Sequence, residues 1–238
     1  MLRPLARSRR EEWLDRPHPD PAELRVNFED LRRINRWWGG NRSTLAALAP
    51  PLDSWPRSRA LRVLEVGSGG GDLLMALARR CRNRGITARL VGVDRCRVVI
   101  EIARQHLVPY PEILLLRGDG LRLPFPPGTF DFVVCSLVLH HIPAERAAEF
   151  LRGLGSLARE GVVVSDLRRG RLAYAITLLF ARLLTRGRMT RADAPLSVLR
   201  SLTLSEARDL ARRAGWERGS VRRSFPLRFI LLDRPLPR

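Results

Sequence analysis

The 238-residue chain contains no lysine: all 43 of its basic residues are arginine, set against 24 acidic residues for a formal net charge of +19. A charge of that size ordinarily points to nucleic acid or another acidic partner. Here the arginines are spread along the whole chain, and lysine is replaced everywhere. A codon bias acting without regard to function leaves that pattern. On charge alone three acidic partners stay open: RNA, an acidic carrier protein and an anionic membrane surface. Cysteine is also scarce. Cys81, Cys96 and Cys135 are odd in number, and no two stand at metal-ligand spacing. That excludes a disulfide framework and leads to the expectation of reduced thiols in a cytoplasmic protein. Long apolar runs are missing too, since no stretch approaches the ~18 residues of a transmembrane helix. The most membrane-like piece, residues 172–184, is interrupted by Arg182. The first residues lack the apolar core of a signal peptide, and no internal repeat is visible.

What is present suits a globular protein. Hydrophobic residues make up 45% of the chain, enough for a real core. The length fits one domain of about 200 residues with an N-terminal extension. Residues 1–24 are rich in arginine and proline, and Pro17, Pro19 and Pro21 oppose a regular helix. Leu24, Phe28, Leu31, Ile34 and Trp38 recur at helical spacing, predicting a helix over 24–38 that Gly39-Gly40-Asn41 stops. Ser43 is placed to cap a short helix over 44–48, ended by Pro50-Pro51.

From residue 61 strands and helices alternate. Strands are expected over 61–66, 90–93, 113–116, 130–137 and 161–165, with helices over 72–84, 97–106 and 145–157. That repetition predicts a parallel sheet with helices on both faces. Residues 171–200 break the rhythm with an apolar helix over 171–185 and then a basic loop. A helix over 205–214, capped by Ser205 and stopped by Gly215, leads to two closing strands, 221–225 and 227–232, around Pro226. The expected division is a helical extension or flap, 1–58, and a domain, 59–238, in which 171–200 is a lid.

The sharpest motif is Glu65-Val66-Gly67-Ser68-Gly69-Gly70-Gly71-Asp72, placed between a strand and a helix. Glycine lets the backbone turn sharply and approach a ligand closely. The following helix N-terminus offers free N–H groups and a positive dipole end. A dinucleotide fingerprint wants its third glycine at position 72. Asp72 stands there instead, and its carboxylate would repel a pyrophosphate.

With Glu65, Gly67, Gly69 and Gly71 in this spacing, the chain resembles class I S-adenosylmethionine-dependent methyltransferases of the ubiquinone/menaquinone-methyltransferase-like type. The resemblance covers roughly residues 61–165. It implies a Rossmann-like α/β fold: a central, mostly parallel seven-stranded sheet, helices on both faces and an antiparallel C-terminal hairpin. It implies S-adenosyl-L-methionine as cofactor and S-adenosyl-L-homocysteine as product. Glu65, Gly67, Ser68, Gly69 and Gly71 would then pack against the methionine and ribose parts. Asp94, at the carboxyl end of the second strand and followed by Arg95, would accept bonds from the ribose hydroxyls; the plainer reading is an N-cap for the next helix. Asp119, with Gly120 and Leu121, would meet the adenine, or would simply form an Asp-Gly turn. Ser136 and Leu137 would lie near the methionine end.

The acceptor side is fainter, because in methyl transfer the cofactor supplies the electrophile and the protein mainly positions the acceptor. A neutral imidazole of His140 or His141 can take a proton from a phenol or enol, or the pair can merely pack. No third ligand stands near these adjacent histidines, so no metal site is expected. Asp166, just after the fifth strand, is placed to orient a substrate hydroxyl or to pair with Arg168 or Arg169. Leu172, Ile176, Leu179 and Phe180 are expected to line an apolar pocket, with Asn41 and Arg42 in the flap. The favoured acceptor is therefore a small apolar or aromatic molecule, a phenol, quinol or polyketide-like compound methylated on oxygen or carbon. RNA is less favoured: Ser136-Leu137-Val138-Leu139 stands where many enzymes that methylate base nitrogens carry Asn/Asp-Pro-Pro-Tyr. A third reading is a non-catalytic cofactor-binding partner in a biosynthetic complex, with an acidic carrier protein on the basic surface.

Overall fold

Seven strands form one sheet in the order β3-β2-β1-β4-β5-β7-β6. They are β1 (Leu61–Val66), β2 (Ala88–Asp94), β3 (Ile113–Arg117), β4 (Phe130–Ser136), β5 (Ala158–Leu167), β6 (Ser220–Ser224) and β7 (Arg228–Leu232). The first five run parallel. β7 lies antiparallel between β5 and β6. This computed structural model describes residues 5–16, 20–38 and 41–236; the proposed roles of Pro17, Pro19 and the Gly39-Gly40 stop lie outside them. The strand order reverses between β1 and β4. Open α/β sheets bind ligands at the carboxyl ends of the strands beside such a reversal.

The central strands are apolar on both faces because both faces are covered. Against one face, α2 (Arg42–Asp53), α3 (Asp72–Arg84) and α4 (Arg97–Leu107) bring Leu48, Leu52, Leu74, Leu77 and Ile100 onto Val63 and Phe132. Against the other, α5 (Ala147–Leu157) and α8 (Leu204–Arg213) bring Leu151, Leu154 and Leu210 onto Leu64, Val133 and Phe229. Each such side chain contributes roughly 1.5–3 kcal/mol on leaving water. A smaller cluster of Leu24, Phe28, Val99 and Met189 ties α1 (Pro21–Trp38) to α4 and to α7 (Arg188–Arg200).

Several local expectations are corrected. α1 begins at Pro21, because the first helical position has no N–H bond to lose. α2 runs through Pro50 and Pro51 to Asp53, its proline penalty offset by the burial of Leu48, Pro51 and Leu52. Its N-cap is Asn41, and Ser43 instead meets the Ser224 hydroxyl at 2.5 Å. The expected basic loop after α6 (Arg171–Leu184) is the helix α7, which carries Pro195. α7 buries Thr190, Asp193 and Ser197 beside Met189 and Val198, so no apolar period marked it. Thr203, not Ser205, caps α8: its hydroxyl accepts the Glu206 N–H while the Glu206 carboxylate accepts the Thr203 N–H. Among the described residues no helix is long and apolar enough to cross a membrane.

Candidate active site

A cavity of about 280 Å³ opens at the carboxyl ends of β1, β2 and β4. The glycine turn shapes its floor. Gly67, at φ +74°, has no room for a side chain, since a Cβ there would collide with Val138 Cγ2. Gly69 takes φ +51° and passes its N–H to Asp94 Oδ2 at 3.0 Å. The other Asp94 oxygen accepts the Cys96 N–H at 2.9 Å. One carboxylate therefore holds the glycine turn and the start of the α4 approach together, and it lines the cavity; the helix N-cap itself is Cys96. Asp119 both lines the cavity and makes the expected turn, Oδ1 accepting the Leu121 N–H at 3.0 Å.

Of the residues singled out for the cofactor, Glu65, Gly67, Ser68, Gly69, Asp94, Arg95, Asp119, Gly120, Leu121, Ser136 and Leu137 all reach the cavity wall. Gly71 does not. It is the left-handed N-cap of α3, packed close to Leu107. Gly70 lines the wall in its place, with Leu14, Phe28, Leu31 and Val99, which sequence reasoning missed. Glu65 is 3% exposed, and its Oε2 has no hydrogen-bond partner, nor does Ser68 Oγ. Burial, with Asp72 and Asp94 nearby, pushes the Glu65 carboxyl well above its ordinary range.

The histidine pair lies in a 3-10 turn after β4, Leu139–His141. His140 is buried and turned to Asp166, with Nδ1 2.7 Å from Oδ1; the His140 backbone N–H donates to Oδ2 at 3.0 Å. Burial alone would raise the Asp166 carboxyl, but the charge and hydrogen bonds of His140 prevail and hold it below its ordinary range. Asp166 is 1% exposed, does not line the cavity and is bonded to His140. The expected ion pair with Arg168 or Arg169 is not made; Arg169 pairs with Glu206. His141 lines the cavity, with Nδ1 2.9 Å from Asp15 Oδ2. The two rings lie 4.2 Å apart.

Asp15 belongs to a short 3-10 turn, Trp13–Asp15, in the arginine- and proline-rich segment that offered no sequence signal. Asp193 of α7 anchors the turn by accepting the Trp13 and Leu14 N–H groups. Just before it, the Glu12 carboxylate lies 3.7 Å from His140 Nε2 and 3.9 Å from His141 Nε2. The sequence showed no acidic side chain beside the histidines; the fold brings Glu12 to both from the N-terminal segment. Asn41 reaches the cavity, whereas Arg42 is exposed. Leu172 and Leu179 are 67% and 57% exposed, and none of Leu172, Ile176, Leu179 and Phe180 lines the cavity. The greasy wall comes from α1 and the 3-10 turn instead of α6.

Residues 63–161 match the family model described as a methyltransferase domain. The ubiquinone biosynthesis O-methyltransferase of Xanthomonas campestris pv. campestris is 30% identical over 190 residues, covering 71% of this chain and 76% of that protein. The chain belongs to the class I S-adenosylmethionine-dependent methyltransferases. The solved structures agree on the fold. The citrinin polyketide synthase CMeT domain superposes with a TM-score of 0.68 at 12% identity, over 96% of this methyltransferase and 60% of that chain. Magnesium protoporphyrin IX methyltransferase of Synechocystis PCC 6803, with bound S-adenosylhomocysteine, gives 0.59 at 21% identity over 87% and 93%. S-adenosyl-L-methionine is the cofactor. The cavity of this methyltransferase fits it: Glu65 and Ser68, each with a buried side-chain oxygen that has no partner, line it together with the acidic Asp72 and Asp94, a set suited to a cofactor that carries positive charge at its sulfonium and amino groups.

Proposed function

We propose that this methyltransferase methylates a hydroxyl oxygen of a small aromatic acceptor, of the phenol, quinol or polyketide-like kind, and that His141 takes the proton. The observation that carries the reading is the place of His141 on the cavity wall, with its Nδ1 tied to Asp15. A carboxylate at Nδ1 holds the proton there, so Nε2 presents a lone pair. His140, fixed by Asp166, is the rigid support behind it. Leu14, Phe28, Leu31 and Ile142 give the acceptor an apolar surround. The names of the relatives, which methylate oxygen in quinone synthesis or belong to a polyketide synthase, support the same acceptor class.

Asp94 is the residue for the ribose hydroxyls, Asp119 with Gly120 and Leu121 for the adenine, and Glu65, Gly67, Ser68 and Gly69 for the ribose and methionine parts; Ser136 and Leu137 flank the methionine end. Arg95 reaches back to Asp15 at 2.5 Å, joining the cofactor loop to the N-terminal turn. When bound, the cofactor supplies an electrophilic methyl group on sulfur. The chain's own task is to hold the acceptor oxygen in line, exclude water and receive its proton on the His141 imidazole as the new C–O bond forms.

The test uses S-adenosylmethionine labelled in the methyl group, incubated with the protein and a lysate, after which RNA, protein and organic-soluble fractions are counted. Label in the organic fraction, lost in Asp94→Ala, is expected. Label in RNA would overturn the small-molecule reading and give the +19 charge a role. Label in no fraction, despite cofactor binding, would favour a non-catalytic partner that meets an acidic carrier protein.

A further inference from the structure

The imidazole pair and Glu12 have an arrangement that proton transfer alone does not explain. Both Nδ1 atoms are committed to carboxylates, His140 to Asp166 and His141 to Asp15. Both Nε2 atoms therefore face away from those carboxylates, and they converge on a third one. Glu12 Oε1 is 3.7 Å from His140 Nε2, and Glu12 Oε2 is 3.9 Å from His141 Nε2. These separations are too long for hydrogen bonds. They are close to the spacing of about 3.4 Å between two ligand atoms that share one tetrahedral ion at bond lengths of about 2.1 Å. The three candidate ligand atoms all lie within 4.8 Å of one another, so a side-chain adjustment would bring them around one ion with a fourth position left open.

The surroundings point the same way. Glu12 is 2% exposed, and its Oε1 has no hydrogen-bond partner, although Oε2 accepts from Ser197 Oγ at 2.9 Å. Carboxylates gather around the pair: Arg200 lies 3.6 Å from Glu12 and 2.9 Å from Asp15, with Arg95 at the rim. The carboxylate on each Nδ1 also fixes ring orientation and raises Nε2 basicity, as the outer partners of metal-bound histidines do.

We propose that Glu12, His140 and His141 bind one divalent transition-metal ion of the zinc class, with Asp15 and Asp166 as the carboxylates that orient the two imidazoles. Two nitrogens and one carboxylate suit zinc or cobalt and are too soft a set for magnesium or calcium. An ion there takes the lone pair that the acceptor's proton would take, so cation and proton exclude one another at His141. The N-terminal segment then becomes part of a metal clasp across the acceptor side of the cavity.

The site is tested on the full chain, stripped with chelator and titrated near neutral pH with zinc by calorimetry and with cobalt by visible absorption. One ion per chain is expected, with cobalt ligand-field bands and none of the sulfur charge transfer that Cys81, Cys96 or Cys135 would give. Glu12→Gln, nearly the same shape, should weaken zinc at least about 100-fold; Asp15→Asn, one step removed, about 10–100-fold. Near-ultraviolet circular dichroism and S-adenosylhomocysteine affinity report whether each variant is folded. No saturable binding below millimolar zinc, or binding that Glu12→Gln leaves unchanged in a folded protein, overturns the site. Methyl transfer measured in chelator reports on His141 as a base independently, so either idea can fail without the other.

Discussion

Asp166 Oδ1 lies 2.7 Å from His140 Nδ1, and the other oxygen of the same carboxylate accepts the His140 backbone N–H at 3.0 Å. Two contacts fix both the ring and the short 3-10 turn, Leu139–His141, that carries it, at a place where β5 and the segment after β4 meet. Because His141 packs against that ring at 4.2 Å, the proposed base is linked to Asp166 through two side chains. Asp166→Asn should lower kcat by roughly 10–100-fold, while His141→Ala, which removes the proton acceptor itself, should lower it by about 10²–10⁴. In neither variant should S-adenosylhomocysteine affinity move by more than about twofold. Turnover and calorimetric binding in parallel decide it: if affinity falls together with kcat in Asp166→Asn, the carboxylate only holds the fold.

Gly67 cannot be replaced cheaply. Its φ of +74° costs an L-residue roughly 1–2 kcal/mol, and the collision of a new Cβ with Val138 Cγ2 adds about 1–3 kcal/mol of overpacking. Gly67→Ala should therefore lose about 2–5 kcal/mol by denaturant unfolding. The double variant Gly67→Ala/Val138→Ala removes the collision but not the dihedral, and should recover only the overpacking share. Full recovery would show that the left-handed backbone costs nothing here.

The contrast between the cofactor side and the acceptor side shows what a sequence can display. Glu65, Gly67, Gly69, Asp94 and Asp119 stand at or just past strand ends, where the turn that joins each strand to its helix dictates both backbone shape and residue type, so the strand–helix alternation from residue 61 and these residues of the wall were legible. Gly71 was assigned to the cofactor by motif spacing, but its left-handed φ serves the start of α3. The acceptor side joins segments far apart in the chain. Glu12 and Asp15 meet the histidines only because Asp193 of a helix without an apolar period anchors their turn. Leu172 and Leu179 misled because an apolar helix reads as pocket lining, whereas α6 packs on α7 and turns these leucines outward.

Asp94 joins two functions in one carboxylate, accepting the Gly69 and Cys96 N–H groups while lining the cavity. Asp94→Ala should weaken S-adenosylhomocysteine by about 2–4 kcal/mol, the size of two or so charge-assisted hydrogen bonds. Asp94→Asn keeps one acceptor oxygen and should lose less than half of that. Calorimetry on both variants checks the order; equal losses would mean that charge, not hydrogen-bond acceptance, holds the ligand.

Glu65 makes the stability of the domain depend on pH. Its carboxyl is raised well above its ordinary value, first by burial and then by the charges of Asp72 and Asp94. Between the ordinary value and the raised one, the folded chain holds a proton that the unfolded chain has released, so stability is greatest below that window and falls as pH rises through it. Asp72 and Asp94 are also raised by burial and slope the same way, which makes the difference between two proteins the informative quantity. Glu65→Gln, with no proton to lose, should fall less steeply between about pH 5 and 8, and its melting temperature should overtake that of the parent chain toward the alkaline end. Melting curves of both proteins across that range, without cofactor, measure the difference directly. Parallel curves would mean that Glu65 is charged in the fold at every pH tested, its charge compensated locally.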